Sequence, residues 1–350
     1  MTALRSIADL TEAGLVPMPD VEQLDLVASR YAVSITPYLA DLIDRADPAD
    51  PIARQFVPQT AELATHGAER EDPIGDAPYS PVKGIVHRYA DRVLLKIVQA
   101  CPVYCRFCFR REMVGPGSEA FLSADELETA LAYIASRPEI WEVILTGGDP
   151  LILSPRRLGE IKARLDAIPH VQVVRFHTRV PVVDPARVTE QMVTALRGRT
   201  PTYILLHANH AREFTDAARQ AIALLVDGGI PLLGQSVLLK GVNDTVEALR
   251  DLLRTMVANR VKPHYLHHPD LAPGTGHFRL PIAKGRALLR ELRGPISGLA
   301  QPTYMLDLPG GHGKVPIGPD YLAEADGGWQ VRDPKGHLHA YSEALPDQDA

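Results

Sequence analysis

From residue 93 onward, short apolar runs and longer amphipathic stretches take turns along the chain. Runs rich in β-branched and aromatic residues occur at 93–98, 141–145, 171–176, 202–206, 231–239, 262–267 and 303–308. Between them lie stretches with helical periodicity at 124–136, 155–167, 185–198, 211–227, 245–259 and 281–293. The first of these opens on Ser123 with Glu126 three residues later, a pattern in which each side chain can cap the other's backbone N–H. Strands alternating with helices in this way predict an α/β fold with a parallel sheet, curled into a full or partial barrel. Before residue 80 the pattern is different: short helices at 21–31, 36–45 and 50–56, Asp-Pro turns between them, and a loop over 71–78. After about 320 the chain is polar and poorly periodic. The expected divisions are a helical N-terminal segment (1–81), a barrel core (82–315) and a C-terminal extension (316–350).

Composition narrows the function classes. Of the 350 residues 45% are hydrophobic, ample for a large core, and 43 acidic against 37 basic residues leave a net charge of −6. No block of Lys or Arg suggests a nucleic-acid footprint. No apolar run approaches the roughly 18 residues of a membrane span, and the first residues lack a signal-peptide layout, so a cytoplasmic address is expected. All three cysteines fall within eight residues, Cys101, Cys105 and Cys108. Clustered thiols in odd number point to metal or redox chemistry, not to a disulfide framework.

In parallel sheets ligands collect beyond the carboxyl ends of the strands. Cys101, the pair Gly147-Gly148 with Asp149, Asp270 and Lys314 all follow predicted strands in this position. Thiolates suit zinc or an iron–sulfur cluster. A closed zinc site needs four ligands, and the chain has three cysteines with no histidine in the sixty residues after them. Three thiolates on a cubane of four irons leave one iron open. Two blander readings stand beside this one: inert buried thiols, and a Gly-Gly-Asp-Pro stretch that merely turns.

The spacing Cys-x3-Cys-x2-Cys, with Phe107 before the last thiol, is that of the radical S-adenosylmethionine (SAM) superfamily. Over about residues 50–345 the chain resembles the lysine 2,3-aminomutase family in particular. The matching stretches are RQFVPQTAEL (54–63), HRYADRVLLKI (87–97), CPVYCRFCFRR (101–111), LTGGDPL (145–151), QSVLLKGVND (235–244), HPDLAPGTGHFR (268–279) and DLPGGHGKVP (307–316). The resemblance implies a partial (β/α)6 radical-SAM barrel and three cofactors: a [4Fe–4S] cluster on Cys101, Cys105 and Cys108, S-adenosylmethionine, and pyridoxal 5′-phosphate. It implies that Lys314 forms the Schiff base with pyridoxal phosphate, with Arg88 and Arg92 on the phosphate. It places Gly147, Gly148, Asp149 and Gln235 at S-adenosylmethionine, Arg110 on the substrate carboxylate, and Asp270 and Asp307 on the distal ammonium of lysine.

The implied activity is that of an isomerase interconverting L-lysine and L-β-lysine, served by an electron donor such as flavodoxin or ferredoxin. Alternatives remain open at this point: another amino acid, lysine modification of a translation factor, or a non-catalytic iron–sulfur protein on the same scaffold. Thr245 follows Asp244 where family members with an intersubunit zinc carry a cysteine, and the tail has none. No zinc site is expected, and a homo-oligomer is neither implied nor excluded. His267 stands where the family has a tyrosine. It and His207, His210, His264 and His268 read as hydrogen-bonding groups, not metal ligands.

Overall fold

The computed structural model of the chain describes residues 2–17, 20–115, 120–325 and 328–342. Its centre is a nine-stranded sheet whose strands follow one another in chain order. They are β1 (Ile85–Tyr89), β2 (Arg92–Val98), β3 (Glu142–Gly147), β4 (Val173–Thr178), β5 (Thr202–His207), β6 (Leu232–Val237), β7 (Val261–His267), β8 (Thr303–Leu308) and β9 (Gly313–Pro316). β2 to β8 are parallel; β1 and β9 pair antiparallel with β2 and β8 at the two edges. Every apolar run named above is one of the parallel strands, so the expected partial (β/α) barrel is what the chain forms. The edges approach each other where the Lys314 backbone N–H donates to the Tyr89 hydroxyl at 3.0 Å.

Helices link the parallel strands: α5 (Ala124–Ala135), α6 (Pro155–Asp166), α7 (Val180–Val183) with α8 (Glu190–Leu196), α9 (Asp216–Asp227), α10 (Val246–Ala258) and α11 (Ile282–Leu292). Each long helix buries one stripe, as α10 does with Leu249, Leu252, Leu253 and Met256. The Ser123–Glu126 capping box forms as the residues predict. The helix expected over 185–198 is broken, because Thr189 caps α8 with its side chain and Pro185 starts a separate short turn. The helix expected over 211–227 likewise begins only at Asp216, where Thr215 caps it.

Along the strands the apolar face turns outward to the helices. Val143, Leu145, Val174, Phe176, Ile204 and Leu206 are buried there in one large cluster. α1 (Ile7–Glu12), α2 (Val21–Arg30), α3 (Pro37–Leu42) and α4 (Ala53–Phe56) contribute Ile7, Leu10, Leu24, Val27, Leu39 and Phe56 to the same cluster. α1, which the pattern did not single out, opens on a capping box of Ser6 and Asp9.

The polar tail holds a three-stranded antiparallel sheet, β10 (Leu322–Ala325), β11 (Gly328–Arg332) and β12 (Leu338–Tyr341). β10 and β12 are exposed along their whole length, so no buried face imposes an alternation on the sequence. Residues 343–350 of the C-terminal extension lie outside the described residues. No described helix is long and apolar enough to cross a membrane.

Candidate active site

The inward face of the barrel carries polar side chains on six successive strands, among apolar ones such as Ile144, Leu205 and Met305. Glu142 and Thr146 on β3, Arg175 and His177 on β4, His207 on β5, Gln235 on β6, Tyr265 and His267 on β7 and Asp307 on β8 all line one cavity of about 640 Å³. Successive strand residues point to opposite faces, so these positions recur at intervals of two. A barrel closed for stability alone fills its centre with branched side chains; this one leaves room for large ligands. Every site residue singled out from the sequence lines that cavity: the three cysteines, Arg88, Arg92, Arg110, Gly147, Gly148, Asp149, Gln235, Asp270, Asp307 and Lys314.

The cysteine loop is held from behind by the N-terminal segment. Tyr104 N donates to Ser34 O at 3.1 Å and Arg106 N to Gln55 O at 2.8 Å. Glu62, fully buried, takes Arg106 at 2.5 Å and Arg111 at shorter range. Burial alone would raise the Glu62 carboxyl, but the two guanidiniums hold it below the ordinary carboxylate range. Arg179 donates to Cys105 Sγ at 3.1 Å. The three thiols are free, with partial access from the cavity. Burial raises the pKa of all three, that of Cys108 to about 11, so a metal must displace their protons to bind. Among the described residues no three His, Cys, Asp or Glu side chains gather around a single-ion site. All three thiols line the same cavity, and as thiolates they would suit an iron–sulfur cluster.

Gly147 and Gly148 serve the chain's own packing. A Cβ on Gly147, which has φ 111°, would lie 2.3 Å from Val98 O, and one on Gly148 would lie 2.1 Å from Ala100 O. The glycines let β3 run against the backbone that leads into Cys101. Asp149 faces the protein: its carboxylate accepts from Leu151 N (3.0 Å), Thr178 Oγ1 (2.7 Å) and Arg179 N (2.7 Å). Burial raises its pKa despite these bonds.

On β1, next to the strand that leads into the cysteine loop, Arg88 reaches Ile74 O at 2.7 Å and Asp76 at 3.1 Å, while its buried Nε has no partner. Arg92 lies 3.8 Å over the Tyr89 ring. Arg110 bonds Asp76 at 3.0 Å. Asp76 thus joins two arginines that the resemblance assigns to different ligands. Burial pushes its carboxyl up, yet Arg110, with Lys96 and Arg88, brings it below its ordinary value. Asp76 stands in the 71–78 stretch that reads only as loop, and nothing local marks it.

Lys314 Nζ forms an ion pair with Asp307 Oδ2. His267 Nδ1 lies 3.8 Å from the same oxygen, and the buried Oδ1 has no partner. Asp270 is raised to about 7, first by burial and then by the charge of Asp307. An alkylammonium therefore already sits on Asp307, donated by the protein itself. Burial keeps His177, His207 and His267 neutral at physiological pH, the last at about 3. His207 and His268 make hydrogen bonds, to Asn209 (3.2 Å) and Tyr304 (2.8 Å). These inward histidines, Tyr265, and Glu142 with its partner Arg175 at 3.0 Å were legible only as polar positions at a spacing of two within otherwise apolar strands.

Comparison with known proteins finds two family matches: the radical SAM superfamily over residues 95–253 and Lysine-2,3-aminomutase over residues 289–348. The L-lysine 2,3-aminomutase of Clostridium subterminale is 41% identical over 314 residues, 89% of this chain and 75% of that protein. That of Acetoanaerobium sticklandii is 43% identical over 290 residues, 83% and 70% of the two chains. The glutamate 2,3-aminomutase of Clostridioides difficile is 36% identical over 301 residues, 86% of this chain and 71% of its own length.

Proposed function

The chain belongs to the lysine 2,3-aminomutase family, and from that premise we propose that it is an isomerase interconverting L-lysine and L-β-lysine. The observation that carries the substrate choice is the lysine ammonium resting on Asp307 beside Asp270. Two carboxylates with an open acceptor recognise a buried cation, because a charge removed from water must be paired. The same pair repels the side-chain carboxylate of glutamate.

When bound, the cluster with S-adenosylmethionine supplies a carbon-centred radical that takes hydrogen from C3 of the substrate, and pyridoxal phosphate supplies the π-system across which nitrogen moves from C2 to C3. The protein holds and orients these groups. Cys101, Cys105 and Cys108 would hold the cluster. The Gly147–Gly148 backbone and Gln235 border S-adenosylmethionine, with Asp149 fixing that turn from behind. Arg88, whose Nε is free, and Arg92 take the phosphate. Lys314 would carry pyridoxal phosphate in place of its ion pair with Asp307. Arg110 takes the substrate carboxylate, and Asp270 with Asp307 the distal ammonium. The neutral inward histidines add hydrogen bonds without competing for charge. Residues 82–315 act as the catalytic unit, with 1–81 as the clamp on its cysteine loop. An external low-potential electron donor completes the system.

The test is product analysis. Anaerobic protein reconstituted with iron, sulfide, pyridoxal phosphate, S-adenosylmethionine and a strong reductant is given lysine, glutamate, arginine or ornithine. Mass spectrometry should find β-lysine and negligible product from glutamate. No turnover of free lysine would overturn the proposal.

A further inference from the structure

Arg179 and Glu213 have no part in the roles assigned above, yet they form a buried ion pair against the cysteine loop. Their side chains are 6% and 0% exposed and meet at 2.5 Å. From Nη1, Arg179 donates to Cys105 Sγ at 3.1 Å; from Nη2 it also donates to Gln55 Oε1 at 2.8 Å. Its guanidinium is sandwiched near the rings of Phe56 and Phe107, 4.7 and 5.6 Å from their centroids. Glu213 is anchored in turn by Asn209 N at 2.8 Å and His210 N at 2.9 Å. A buried ion pair is seldom more stable than well-packed apolar side chains of the same volume. Here the pair ends on a sulfur that faces the cavity.

We propose that Arg179 and Glu213 are positioning residues that set the electron affinity of the cluster held by Cys105: Arg179 favours the reduced state and Glu213 moderates it. This rests on the reading that the three cysteines hold a [4Fe–4S] cluster. One electron from an external low-potential donor adds one negative charge, shared among irons, sulfides and thiolates, and no bond forms or breaks. A fixed positive N–H donor on a thiolate stabilises the added charge more than it stabilises the oxidised form. Glu213, one residue further out, opposes it through the same low-dielectric surroundings. The two side chains therefore act with opposite sign.

The experiment is an EPR-monitored redox titration of the anaerobically reconstituted enzyme without substrate, normalised to iron content. Arg179→Gln should lower the midpoint potential and Glu213→Gln should raise it. The expected size is a tenfold change in the reduced-to-oxidised ratio at fixed poise, about 59 mV for one electron. Arg179→Lys, which keeps the charge, should fall between wild type and Arg179→Gln. Shifts of the same sign in the two charge-removing variants, or no shift in fully loaded protein, overturn the proposal. So does loss of the cluster from all three variants beside a loaded wild type, which would make the pair purely structural. A wild type that takes up no cluster removes the reading on which the proposal stands, and is seen before any variant is titrated.

Discussion

The two ends of the cavity handle charge in opposite ways. At the cysteine end each buried guanidinium has its carboxylate: Arg106 and Arg111 share Glu62, Arg110 has Asp76, and Arg179 has Glu213. At the Lys314 end the accounts are open. Asp307 has a buried oxygen with no partner, and Asp270 faces the negative charge of Asp307. Unpartnered arginine Nε atoms occur at the cysteine end too, on Arg111 and Arg179, so the difference lies in the carboxylates: a buried acceptor left open is a place for a ligand cation. The first end is built to keep one geometry. The second is built to exchange partners, and Lys314 moving between Asp307 and a cofactor is part of that exchange.

The contrast can be broken from either side. The largest effect is expected from Cys105→Ala, which should abolish iron loading and bring turnover to background, measured by iron analysis and product formation. Lys314→Ala should match it in turnover while leaving iron content intact; borohydride reduction followed by peptide mass spectrometry should find no pyridoxyl adduct. Next comes Glu62→Gln, which strands Arg106 and Arg111 in a buried place. Breaking a buried pair in this way costs about 3–5 kcal/mol, so thermal unfolding should move down strongly. Should Asp307→Asn destabilise the apo protein as much, the two ends would not differ as described.

Asp307→Asn acts instead on binding. Removing one partner of a buried charged pair costs about 2–5 kcal/mol, so KM for lysine should rise roughly 10²-fold with a smaller change in kcat. The smallest effect is on pH. Asp270, raised to about 7, holds a proton below that pH and cannot pair fully with an ammonium. KM for lysine should therefore rise as pH falls through about 7 and stay flat above it. A steep profile that persists in Asp270→Asn would assign the titration elsewhere.

Much of this was legible in the chain itself. The parallel strands followed from their apolar runs, and the cysteines and the glycine pair stand at strand ends where the alternation puts them; Lys314, expected in a turn after β8, stands on the antiparallel strand β9 opposite Asp307. The carboxylates that complete the cysteine end were not. Glu62 lies 44 and 49 residues from the two arginines it binds, Asp76 12 and 34, and Glu213 34 from Arg179, and no local pattern records such pairings. The glycine pair was legible as a site of close approach, but what approaches is the backbone at Val98 and Ala100. The terminal sheet escaped because its outer strands β10 and β12, exposed along their length, carry no period of two.

By itself the sequence determined the fold class, the cysteine loop and the amine-bearing Gly-rich turn, because each is written in spacing along one stretch of chain. Only the tertiary structure decided which charges are spent and which are held open. That depends on burial and on partners brought from distant segments, and a side chain's chemistry is set as much by what surrounds it as by what it is.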